Sequence, residues 1–293
     1  MLRKKMLVHP LVACGAYTAL YVGALYALPA LYDCVARASR PAGRDHPRVI
    51  VRRLAAALTA TGACLLLAGA YLHHSGALHG NGIFRTLDAF RCLGMRLPAP
   101  SFLHGRMLPL EPIGAYLWEA ARAAALGAGL TALPYAGALY EDVRTRAWRR
   151  HGSRLQFVRN IVVGPATEEL VFRACMIATL AAGGAPRAVC ILVPPLFFGA
   201  AHVHHARETY TAYGRTRSAL RTAVATAAAQ FAYTTAFGWY AGYLFVCTQS
   251  VLAPLAAHMV CNGMGLPVPG HGILARTLQL VGTALFALAI SRL

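Results

Sequence analysis

The 293-residue chain is 57% hydrophobic and 13% charged, with a mean hydropathy of +0.50, which leaves too few polar residues to cover a water-soluble domain of this size. Its formal charge of +18 comes from 26 arginines and two lysines against ten acids, and in so apolar a chain that excess belongs to loops at a membrane surface, with no nucleic-acid partner implied. Eight cysteines (14, 34, 64, 92, 175, 190, 247 and 261) fall without a C-x-x-C pair, so neither a disulfide framework nor a zinc ribbon is indicated.

Taken in chain order, the apolar runs are 11–32, 54–72, 117–140, 155–180, 189–201, 219–237 and 273–290. They approach or exceed the ~18 to 20 residues that span a bilayer, except for the short run from 189. A further run, 240–260, is interrupted by "CTQS" and Pro254. The pattern predicts an all-α, polytopic integral membrane protein of about eight helices. The first run follows Arg3, Lys4 and Lys5 in the manner of a signal peptide, but it is too long for an h-region and reads as a retained helix. The least hydrophobic stretch lies between 73 and 106, where "FRTLDAFRCLGM" has helical spacing suited to the interface; an ordinary polar connection is the equal alternative. No internal repeat or linker divides the chain. Residues 1–293 read as one membrane domain, with N-terminal helices over 1–140, a core over 145–270 and a final helix over 271–293.

Arginines cluster at 37–53, 144–159 and 207–221, and the segments between carry fewer. Alternate loops are thus enriched, and the positive-inside rule puts the loops after helices one, three and five in the cytosol. The N-terminus then faces the other side, against the pull of its own three basic residues.

Ionisable residues inside spanning segments are costly unless paired or hydrated, so they are the candidates for function. "EELVFR" sets Glu168 and Glu169 side by side with Arg173. On a helix Glu169 and Arg173 are i, i+4 and can pair, whereas Glu168 points ~100° away. The plain alternative is a first-turn carboxylate pair in a helix beginning at Pro165, with a structural salt bridge. In "FFGAAHVHH", Phe198 and His202 share a face at i, i+4, while His204 and His205 read as interfacial. In "HMVCN", His258 and Asn262 stand at i, i+4 in an apolar helix. Glu111 and Glu119, at a membrane boundary, are assigned no role.

A carboxylate, two histidines and an amide on three helices suffice to activate water. Glu168 can accept its proton with His202 orienting or sharing it, and His258 with Asn262 can donate to the oxyanion that forms. Two other chemistries stay open. Glu168, His202 and His258 could hold zinc, although H-E-x-x-H is absent. Cys175 is a weaker nucleophile candidate, because no base adjoins it.

"GPATEELVFRACM", "LFFGAAHVHH" and "HMVCNGMG" together resemble the three signature motifs of the type II CAAX prenyl endopeptidases, the Ras-converting enzymes of the CAAX protease and bacteriocin-processing superfamily. The match covers about 145–270. The resemblance implies an endopeptidase that removes the aaX tripeptide from prenylated CaaX proteins of the small-GTPase type, at the cytosolic side of the endoplasmic-reticulum membrane. It implies a glutamate-dependent site needing no metal or cofactor. Glu168 and His202 would activate water and His258 and Asn262 would form the oxyanion site. Glu169, Arg173 and Phe198 would support them, with Arg173 as a candidate neighbour of the substrate's terminal carboxylate. A non-catalytic scaffold or transporter of the superfamily is the opposing class.

Overall fold

The computed structural model describes residues 9–35, 43, 45–80, 82–95, 102–103, 106–107, 113–145 and 152–293. Arg3, Lys4, Lys5, Glu111 and parts of the first two arginine clusters lie outside these residues. Two long helices open the chain, α1 (Pro10–Val35) and α2 (Pro47–Ser75), followed by the short α3 (Ile83–Cys92) over the stretch read above as an interfacial helix or a loop. A two-residue antiparallel ladder, β1 (Phe102–Leu103) with β2 (Arg106–Met107), is the strand pairing among the described residues. Next come α4 (Ile113–Ala132), one tight turn, and α5 (Ala136–Thr145).

The site helix occupies 154–182 and changes pitch along its length. It comprises α6 (Arg154–Phe157), a wide π-helical stretch (Val158–Val163), α7 (Gly164–Glu169), a second π stretch (Leu170–Cys175) and α8 (Met176–Ala182). The bend at Val193 separates α9 (Arg187–Leu192) from α10 (Pro194–Ala201), because Pro194 and Pro195 supply no N–H to the turn before them. The Leu196 N–H bonds Val193 O at 3.0 Å, and the Leu192 carbonyl accepts instead from Trp239 Nε1 at 3.2 Å. The remaining helices are α11 (His205–Ala212), α12 (Arg217–Thr248), α13 (Leu252–Met264) and α14 (Ile273–Ile290).

Five helices are long and apolar enough to cross a membrane: Pro10–Val35, Pro47–Ser75, Ile113–Thr145, Arg187–Ala212 and Ile273–Ile290. The site helix, α12 and α13 bring the apolar elements to eight. Leucines such as Leu58, Leu66 and Leu280 face outward, as lipid-facing side chains do. One boundary differs from the sequence expectation. The runs 219–237 and 240–260 are not separate spans divided near 238, since α12 runs through as one 32-residue helix and ends at Gln249, which takes a left-handed φ of 52°. Gly238 serves close packing there, as a Cβ would come within 2.6 Å of Pro195 Cβ on α10. Pro254 falls in the first turn of α13, where a missing N–H costs nothing.

Two apolar clusters hold the bundle. The larger joins α1, α2, the second half of the site helix and α10 through Tyr17, Cys64, Phe172, Cys175 and Phe198. The smaller joins α4, α12 and α13 through Ala123, Leu130, Leu244, Ala253 and Ala257. The described parts of the arginine-rich segments meet at one end, tied by Arg159 to Asp45 at 2.9 Å and by Arg53 to Glu208 at 3.9 Å. All eight cysteines are free thiols, and Cys175 is fully buried.

Candidate active site

Between the two clusters lies a cavity of about 710 Å³. Glu168 reaches it from α7, Phe198 and His202 from the end of α10, and His258 and Asn262 from α13. Four of the residues singled out by their spacing thus share one chamber with the Phe198 ring. Glu169 and Arg173 do not line it.

The local backbone explains how this comes about. In the first π stretch the Gly164 N–H bonds Arg159 O, five residues back. A Cβ on residue 164 would stand 2.6 Å from that carbonyl, so glycine permits the wide turn. The carbonyl of Asn160 then finds no helical donor, since its α-helical partner Gly164 is engaged elsewhere and Pro165 has no N–H. Asn262 Nδ2 takes it, donating to Asn160 O at 2.8 Å. An irregularity in the site helix therefore anchors the third motif, with one amide N–H used and the second left over. The second π stretch, where Met176 N–H bonds Val171 O, follows directly after Glu169.

The adjacent glutamates have opposite surroundings. Glu169 is fully buried; its Oε1 accepts from Arg173 Nη1 at 2.9 Å and from His258 Nδ1 at 2.6 Å. Arg173 is equally buried, with its guanidinium 4.4 Å from the Phe198 ring centre and 5.6 Å from that of Phe237. Both rings line the cavity, whereas Arg173 does not. A buried charge pair of this kind is costly to break, and here its product is the fixed orientation of His258. Glu168, with 24% of its side chain exposed, has Oε2 3.7 Å from His258 Nε2. His258 therefore spans the two carboxylates, one through each ring nitrogen.

The tautomers follow from the partners. A carbonyl only accepts, so the His202 Nδ1 that lies 2.8 Å from Phe198 O carries the proton and Nε2 is the ring's available nitrogen. By the same reasoning His258 donates Nδ1–H to the Glu169 carboxylate. The described groups whose ligand atoms fall within 4.8 Å of one another are His204, His205 and Glu208, so a zinc set of Glu168, His202 and His258 gains no support from the geometry.

A family model described as "Type II CAAX prenyl endopeptidase Rce1-like" matches residues 150–264, which contain Glu168, His202, His258 and Asn262. "Probable CAAX prenyl protease 2" of Schizosaccharomyces pombe is 33% identical over 86% of this chain and 79% of that protein. The chain belongs to the type II CAAX prenyl endopeptidase family. "CAAX prenyl protease 2" of Homo sapiens is 33% identical over 87% of the chain and 70% of its own length, and the Arabidopsis thaliana protein of that name is 38% identical over 47% and 52%. No solved structure matches the chain.

In this family member several cavity residues carry no motif. Tyr21 of α1 lines the wall and its hydroxyl lies 2.8 Å from Thr167 Oγ1, next to Glu168. Four residues earlier, Tyr17 makes the same kind of bond to Thr179 at 3.0 Å, so one face of α1 grips the site helix. Arg53 of α2, Asn160, Tyr240 and His205 also line the chamber. The i, i+4 tyrosines were the available signal in α1; nothing in the sequence marked Arg53. His205 is a correction, since it reads as merely interfacial in the sequence and lines the cavity in the structure. Glu119 is exposed and pairs with Arg122 at 3.0 Å, away from this chamber.

Proposed function

We propose that this chain is an intramembrane endopeptidase that cleaves after the prenylated cysteine of CaaX proteins and releases the aaX tripeptide. The convergence of Glu168, His202, His258 and Asn262 from three helices on one half-enclosed cavity carries the reading, in a chain whose relatives are named CAAX prenyl proteases. Glu168 takes a proton from water while Nε2 of His202 orients it, and the water oxygen bonds to the scissile carbonyl carbon. The oxyanion is met by the second N–H of Asn262 and by the His258 ring, which Glu169 holds in place through Nδ1. The C–N bond then breaks and Glu168 returns its proton to the leaving amine, which leaves a carboxylate on the prenylcysteine and a free tripeptide.

Glu169 and Arg173 act behind His258, and Phe198 seals them from water. The proposed setting is the endoplasmic-reticulum membrane, with the arginine-rich end and the cavity toward the cytosol, where prenylated proteins of the small-GTPase type present their termini. The test is cleavage of a farnesylated CaaX peptide by the purified protein and by Glu168→Ala, with and without chelator, reading product masses. Loss of the tripeptide by the wild type alone, unchanged by chelator, supports the assignment. Undiminished cleavage by Glu168→Ala removes Glu168 from its role.

A further inference from the structure

An enzyme that cuts three residues from a chain end has to recognise that end. We propose that Arg53 binds the substrate's free C-terminal carboxylate, an inference that rests on the endopeptidase reading of this cavity. Among the described residues two arginines line the chamber, Arg53 and Arg159. Arg159 is committed to Asp45 through Nη2 at 2.9 Å and to Asn160 Oδ1 through Nε at 2.8 Å. Arg173 lies behind the wall, bound to Glu169. Arg53 is held more loosely. Its Nη1 stands 3.9 Å from Glu208 Oε1, beyond hydrogen-bond length, and its guanidinium is 5.8 Å from the Tyr26 ring centre.

Glu208 shows what such a cation accepts. One of its oxygens is turned to Arg53 and the other lies 3.2 Å from His205 Nδ1, and both of those partners line the cavity. A carboxylate bridging an arginine and a histidine is already present at the rim, on a side chain 42% exposed and able to yield its place. The substrate's terminal carboxylate has the same chemistry. It would engage Arg53, 20% exposed and so partly desolvated, with the planar fork that suits bidentate recognition.

The position also fits. Three extended residues reach at most ~10 Å, so the carboxylate must lie on the wall within that distance of the attacked carbonyl. Tyr21, whose hydroxyl bonds Thr167 next to Glu168, lines the same cavity as Glu168 and Arg53. Catalytic carboxylate and cation thus share one chamber. A substrate ending in an amide, or continuing as a longer chain, would leave Arg53 without its anion, and this gives the site its register.

The experiment compares farnesylated CaaX peptides ending in a free acid or in a carboxamide, with wild type, Arg53→Gln and Arg53→Lys. Wild type should cleave the acid about tenfold more efficiently than the amide, the effect of one charge-assisted pair, expressed mainly in KM. Arg53→Gln should erase the acid-over-amide preference, and Arg53→Lys should restore part of it. An acid preference that survives in Arg53→Gln overturns the proposal, as does a variant that loses both activities equally, which would mark a structural role. Failure of the wild type on both peptides would instead remove the endopeptidase reading on which the inference stands.

Discussion

The molecule contains a second, larger cavity of about 850 Å³ at the opposite end of the bundle, formed where the end of α3 meets α4 and the turn between α12 and α13. It too is lined by an acid and by arginines. There Glu119 and Arg122 sit three residues apart on one helix, pair at 3.0 Å and remain largely exposed, so water screens what they do. In the smaller cavity the charged groups come from different helices, are partly or wholly buried, and hold one another in fixed tautomers and orientations. Volume does not distinguish the two. Convergence under burial does, because a group that is neither neutralised by its neighbour on the helix nor freely hydrated is left with capacity for chemistry.

The sharpest way to break that contrast is Glu168→Gln, which should lower kcat by ~10²- to 10⁴-fold while leaving the thermal unfolding midpoint in detergent unchanged. Next come Glu169→Gln and Arg173→Met, which each leave an uncompensated partner in the core. Denaturant unfolding in detergent should show a loss of ~3–5 kcal/mol for either variant, and the double variant should recover part of it while staying slow because His258 has lost its carboxylate. A smaller effect is expected for Tyr21→Phe, where removing the bond to Thr167 should cost ~1 kcal/mol and slow cleavage several-fold. Smallest of all is Glu119→Gln in the other cavity, which should stay within about twofold of wild-type activity. If Glu119→Gln were as damaging as Glu168→Gln, the two cavities would not differ in kind.

Hydropathy and spacing made the membrane class and the helices readable, because a bilayer imposes a length and an apolarity on each span that no tertiary contact overrides. The pairing of Glu169 with Arg173 was readable for a similar reason, since i, i+4 geometry belongs to a single helix. Arg53 and Tyr21 were not, as a side chain on α1 or α2 becomes a wall of the cavity only through packing against residues more than a hundred positions away. The same holds for His205, whose sequence neighbourhood is indistinguishable from that of an interfacial histidine. The continuity of α12 was hidden because a glycine inside a helix can mean a break or a close approach, and only the partner helix decides which.

The wide turn at 158–163 also fixes the tolerance of this segment to changes in length. Loss of a single codon there would let the turn close to regular α-helical hydrogen bonding and leave the helix beyond it in nearly the same phase, because a wide turn takes up one extra residue. Glu168 would keep its face, but the irregularity that turns the Asn160 carbonyl to Asn262 would be gone. Such a deletion would remove little hydrophobicity, yet it would untie the third motif from the site helix; the segment should accept substitutions more readily than gaps.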